Sequence, residues 1–99
     1  MSLLDAAAIS RELSTLPGWN GDSGRIARTV YLARPQADAL RVKVMGVADE
    51  IDHHPLVEHH GNALTFILWT HSGGGVTARD FELARLIEEV IATNDPAEA

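Results

Sequence analysis

The sequence predicts an α+β fold: a four-stranded antiparallel sheet with three helices packed on one face. The elements run helix, strand, strand, helix, strand, strand, helix, in a single domain over residues 1–99. Three observations predict it. Apolar residues recur at helical spacing in three stretches. Alternating, β-branched or aromatic-rich runs lie between those stretches. Two of these runs flank Gly61-Asn62, a hairpin signal.

Each element has its own grounds. Ser2-Leu3-Leu4-Asp5 has capping-box spacing. Ile9, Leu13 and Leu16 follow at helical intervals, and Pro17-Gly18 stops the run, which predicts a first helix over about 3–15. The turn-rich Trp19 to Gly24 has room for one very short strand. From Arg25 to Leu32 the pattern alternates, with Ile26, Arg28, Val30 and Leu32 on one side and Arg25, Ala27, Thr29 and Tyr31 on the other.

Pro35 suits a first helical turn, where its missing N–H is harmless. Ala37, Leu40, Val44, Val47, Ala48 and Ile51 then predict a helix to about Asp52, and Pro55 drives His54 to an extended conformation. Leu56 to His60 and Leu64 to Thr70 read as strands; in the second, Leu64, Phe66 and Leu68 share one face and Thr65, Ile67 and Trp69 the other. Ser72-Gly73-Gly74-Gly75 reads as a flexible loop. Thr77-Ala78-Arg79-Asp80 opens a last helix carrying Leu83, Ala84, Ile87, Val90 and Ile91, and residues 94–99 read as a frayed tail.

Composition narrows the function. Eight basic residues against fourteen acidic ones give a net charge of −6, which argues against a non-specific nucleic-acid surface. The apolar runs are far shorter than the roughly 20 residues of a membrane helix. No basic region precedes the apolar start, so no secretory signal is expected. The absence of cysteine rules out disulfides and thiolate metal sites and suits a soluble protein of the reducing cytoplasm.

The chemistry concentrates in one stretch. All five histidines, His53, His54, His59, His60 and His71, fall between Asp49 and His71. Histidine titrates nearest neutral pH, so the grouping points to proton transfer, metal binding or surface histidines without chemistry. His59 and His60 are neighbours in a strand, so at most one faces inward. Metal ligands are plentiful in type, with Asp49, Asp52, Glu58 and Asp80 nearby, but no recognised ligand spacing is present. Acid–base catalysis without metal fits better. Asp49, one helical turn before His53, is spaced to orient its ring. No Gly-x-Ser-x-Gly elbow is present, and Gly73-Gly74-Gly75 lacks the Lys and Ser/Thr of a phosphate loop.

Asp49-x-x-x-His53-His54-Pro55, then Thr70-His71, then Asp80, resembles the signature of the pterin-4a-carbinolamine dehydratases. Gly18-Trp19-Asn20 and Thr77-x-x-Asp80-x-x-Leu83-Ala84 extend the likeness, which runs from about Leu13 to Ile91. The resemblance implies the same element order, a homodimer or homotetramer, and no metal or organic cofactor. The implied reaction removes water from 4a-hydroxytetrahydropterin to give quinonoid dihydropterin, in a pterin cycle serving an aromatic amino-acid hydroxylase.

Carried over by position, His53, His54 and His71 are the acid–base and substrate-contacting set, and Asp49 orients the first of them. Pro55, Thr70, Ser72 and Gly73 wall the pterin or meet its edge. Asp80 either supports His71 from behind or caps the last helix. The chain departs from the family at Val57, His59 and Gly61, where an aromatic (often Trp), Asn and another aromatic are usual. Those rings would either pack the hairpin or stack on the pterin. A second function follows from the same resemblance: a catalytically silent relative acting as a binding, dimerisation or assembly partner.

Overall fold

A computed structural model describes residues 2–93; Met1 and the tail 94–99 lie outside the described residues. The order is α1 (Ala6–Leu13), β1 (Trp19–Gly21), β2 (Ile26–Tyr31), α2 (Arg34–Glu50), β3 (Leu56–His60), β4 (Ala63–Leu68), a 3₁₀ turn (His71–Gly73) and α3 (Ala78–Thr93). The strands form one antiparallel sheet in the order β1-β2-β4-β3, so β4 is central and ends beside the 3₁₀ turn.

The first helix starts later than its sequence suggests. Asp5, not Ser2, is the N-cap, its carboxylate accepting from the Ala8 N–H at 2.8 Å. The residues before it are drawn into extended pairing: Leu3 bridges Thr77, and the Leu4 N–H donates to the Val76 carbonyl at 3.0 Å. The second helix carries Pro35 in its first turn as expected, but ends at Glu50 rather than Asp52. Asp52 has φ +54°, in the left-handed region that ends helices and is unfavourable for a residue with a Cβ. The Gly61-Asn62 hairpin forms, with His60 opposite Ala63 and Gly61 at φ +59°. The fourth strand stops at Leu68, and the stretch expected as a flexible loop is instead ordered by the 3₁₀ turn His71–Gly73 and the pairing of Thr70 with Gly75.

The alternation decides the layers. Ile26, Leu64, Phe66 and Leu68 are each at most 1% exposed and meet Ile9 of α1, Ala37, Leu40, Val44 and Ala48 of α2, and Phe81, Leu83, Ala84 and Ile87 of α3 in one core. Burying such side chains supplies about 1.5–3 kcal/mol each. Arg28 shares this inner face opposite Trp19, and its charge is met by Glu88 of α3. One Glu88 oxygen accepts from Arg28 Nε at 2.9 Å and from Trp19 Nε1 at 2.8 Å. At Gly21 a Cβ would lie 2.2 Å from the Arg25 carbonyl oxygen, so only glycine permits the tight β1–β2 connection. The other face carries Ala27, Thr29, Tyr31, Leu56, Thr65 and Ile67; the Thr29 and Thr65 hydroxyls pair across it at 2.8 Å.

Candidate active site

The ends of two elements converge to make the site. The first turn after α2 brings Asp52, His53 and His54; the end of β4 brings Trp69, Thr70, His71 and Ser72. These seven residues line an open cleft of about 380 Å³, within the usual size of a small-molecule site.

The His-His turn is pinned by the first turn of α3. The Arg79 guanidinium donates to the Ile51 carbonyl at the end of α2, satisfying a helix-end acceptor. The next residue, Asp80, is fully buried and accepts from His53 Nε2 at 2.6 Å. Its other oxygen accepts from the Thr70 hydroxyl and from the Thr77 N–H, each at 2.9 Å. The Thr70 proton is committed to Asp80, so at the 2.7 Å contact between the two threonines Thr77 donates to Thr70. A buried carboxylate is costly unless paired and hydrogen-bonded, and three donors meet that requirement here.

Of the two expectations for Asp80, the capping of α3 matches this geometry and the support of His71 does not. Asp80 caps α3 through Thr77, but the histidine it supports is His53, not His71. Asp49 is corrected in the same way: its carboxylate accepts from His54 Nε2 at 2.5 Å, not from His53. The helix ends at Glu50, so the turn that would place residue 53 above residue 49 is never completed, and His53 takes a bond from its N–H to the Ala48 carbonyl. The two pairs differ in weight. Asp80 and His53 have side chains 0% and 13% exposed, whereas Asp49 and His54 are 71% and 46% exposed. An exposed pair contributes about 0–1 kcal/mol.

The third histidine is mounted differently. His71 is exposed, and no described residue hydrogen-bonds to its ring nitrogens. Its imidazole lies parallel to the Trp69 indole, with centroids 4.5 Å apart and planes at 13°. The Arg25 guanidinium carbon stands 4.9 Å from the Trp69 ring centre.

Of the other residues the sequence singled out, Thr70 and Ser72 line the cleft, but the Thr70 hydroxyl is turned inward to Asp80. Pro55 is buried behind the turn, and Gly73 packs toward Leu3; neither lines the cleft. His59 is half-buried on the core side of β3, its Nδ1 3.2 Å from Arg34, and His60 is exposed on the opposite face. Among the described residues, no group of three His, Asp or Glu side chains is arranged to hold a metal ion.

The family departures fall outside the cleft. Val57 sits opposite Phe66 and packs against the core, and a Cβ at Gly61 would meet nothing within 4 Å. Of the two alternatives for the usual ring at position 57, packing fits this geometry and stacking in the cleft does not. The sequence reading missed Arg79, Thr77 and Trp69. The signal for Trp69 was its place two residues before His71; Thr77 was read only as the start of the last helix, and for Arg79 the geometry at the end of α2 is visible in three dimensions alone.

A model of the family described as "Pterin 4 alpha carbinolamine dehydratase" matches residues 2–90. A protein of Nocardia farcinica named "Putative pterin-4-alpha-carbinolamine dehydratase" is 40% identical over 89 residues, covering 89% of this chain and 94% of its own. One of the same name from Sulfolobus acidocaldarius is 36% identical over 89 residues, covering 88% and 97%. The crystal structure of a transcriptional coactivator/pterin dehydratase from Brucella melitensis superimposes with a TM-score of 0.83 at 26% identity, over 90% of this chain and 98% of that one. On the match over nearly its whole length and the fold that accompanies it, this chain belongs to the pterin-4a-carbinolamine dehydratase family.

Proposed function

We propose that the protein dehydrates pterin-4a-carbinolamine in the cleft lined by His53, His54 and His71. The observation that carries this reading is the convergence of three imidazoles on one cleft, two of them oriented by carboxylates. Loss of water breaks the C4a–O bond and forms a C4a=N5 double bond. One proton must reach the leaving oxygen and one must leave N5, so an acid and a base are needed.

The hydrogen bonds suggest how the work is divided. His53 and His54 each donate Nε2–H to a carboxylate, so in their neutral forms Nδ1 is the acceptor left for substrate. That suits them as bases. His53 is the better placed of the two, because its ring is only 13% exposed and is fixed by the buried Asp80, whereas His54 is 46% exposed and held by a surface carboxylate. His71, with both nitrogens uncommitted, is assigned the acid that protonates the departing hydroxyl. The reaction as proposed uses no metal or organic cofactor and places the protein in a cytoplasmic pterin-recycling cycle beside an aromatic amino-acid hydroxylase. The purified protein should accelerate dehydration of a synthetic carbinolamine, undiminished by EDTA. A rate equal to buffer sinks the enzymatic reading, and loss of the acceleration in EDTA sinks the metal-free one.

The protein is proposed to act as a homodimer or homotetramer. Val42 on α2 is 72% exposed, and Tyr31 and Leu56 on the uncovered sheet face are 70% and 43% exposed, apolar surface of the kind an assembly covers. Light scattering should give a multiple of the 10.7 kDa chain mass; a single-chain mass at micromolar concentration overturns this. The same surface supports a second reading, a partner-binding role of the kind that the words "transcriptional coactivator" describe for the Brucella protein. An inactive protein that still assembles would favour it. Among the described residues no helix is long and apolar enough to cross a membrane.

A further inference from the structure

We infer that Trp69 is a positioning residue that holds the His71 ring in its working orientation, in place of the carboxylate that holds each of the other two histidines. The kinetic part of this inference rests on the dehydratase reading above; the geometric part does not.

The contrast among the three imidazoles carries it. His53 is held by Asp80 at 2.6 Å and His54 by Asp49 at 2.5 Å, each through Nε2. His71 has no such bond from any described residue, and it stands exposed on a one-turn 3₁₀ segment that ends at Gly73 and is followed by Gly74 and Gly75. Such a mount leaves the ring free to rotate about its side-chain bonds. The contact that restricts it is the parallel stack on the Trp69 indole, at 4.5 Å and 13°. Trp69 is better anchored than His71. It is half-buried, one residue beyond the central strand β4, and the Arg25 guanidinium lies 4.9 Å from its ring centre.

The choice of a stack over a hydrogen bond has a chemical consequence. A histidine oriented through one nitrogen has only the other for substrate, and its mount changes strength as the ring gains or loses a proton. A histidine oriented through its face keeps both nitrogens for the cleft, so it can give up a proton at one edge and take one back at either. This fits a residue that must be reprotonated in every turnover. Trp69 thus stands in the cleft as a wall and as the mount of the acid, although the family-typical ring positions, at Val57 and Gly61, lie outside it.

The test compares Trp69→Phe, which can still stack, with Trp69→Leu, which fills space but cannot. Two readouts are needed: kcat and KM for carbinolamine dehydration, and NMR relaxation of the His71 ring C–H bonds. Trp69→Leu should lower kcat by roughly two- to twelve-fold, the range set by one aromatic contact. It should also lower the order parameter of the His71 ring, whereas Trp69→Phe keeps both close to wild type. If Trp69→Leu raises KM while kcat and His71 order stay unchanged, the indole is only a wall and the inference falls. If the wild type is inactive on the carbinolamine but the His71 order drops in Trp69→Leu, the mount stands and the dehydratase reading is what fails.

Discussion

Replacing Asp80 by alanine is expected to be the most damaging single change near the site, destabilising the protein by about 3–5 kcal/mol. The substitution strands three donors at once: the His53 Nε2–H, the Thr70 hydroxyl and the Thr77 N–H. Two of these sit in residues at most 7% exposed, where no water replaces the lost acceptor. For a domain of this size the loss should lower the melting temperature by well over 10 °C. Asp80→Asn should cost less, because its remaining carbonyl oxygen still accepts from one side, but its new N–H₂ faces donors on the other. Chemical denaturation of both variants checks this, and an Asp80→Ala loss under about 1 kcal/mol, the size of one ordinary hydrogen bond, would show that the buried network is not what holds the turn.

His71→Ala should do the opposite, removing activity and leaving the fold. The side chain is exposed, no described residue hydrogen-bonds to it, and its one ring contact is the Trp69 stack, so stability should fall by no more than about 1.5 kcal/mol. If His71 is the proton donor, kcat should fall by about 10²–10⁴-fold. Single-turnover dehydration with a matched thermal melt tests both halves. A fall smaller than about ten-fold would move the acid to another group, and a collapse of the melt would mean that His71 serves structure first. Together the two variants separate holding the site from working in it: Asp80 touches no cleft surface, and His71 supports no core.

The local parts of the fold were legible. The apolar series through Ala37, Leu40, Val44 and Ala48 describes a helix face, and those four side chains are buried as a set. Gly61-Asn62 made the hairpin, because the φ of +59° at Gly61 is one that glycine adopts without strain. Helix ends were less legible. Ser2 and Asp5 are both capable caps, and the choice was made by Leu3 and Leu4 pairing with Thr77 and Val76, which lie more than seventy residues on in the chain.

The sequence by itself determined that the histidines gather at two element ends and that acidic residues stand ready for them. Spacing along one element is a local property, and Asp-His-His-Pro after an amphipathic helix, with Thr-His after a strand, carries it. What only the tertiary structure decided is which carboxylate holds which ring. Helical spacing assigned Asp49 to His53, but the helix stops at Glu50 and the chain turns through Asp52 at φ +54°, so the assignment passes to His54. His53 is delivered instead to Asp80 across a gap of twenty-seven residues. The stack of Trp69 on His71 lies between the two cases: a spacing of two permits the rings to share a face, but their parallel contact at 4.5 Å is set where β4 ends and the 3₁₀ turn begins. Periodicity holds while an element continues, and this site is built where two elements stop.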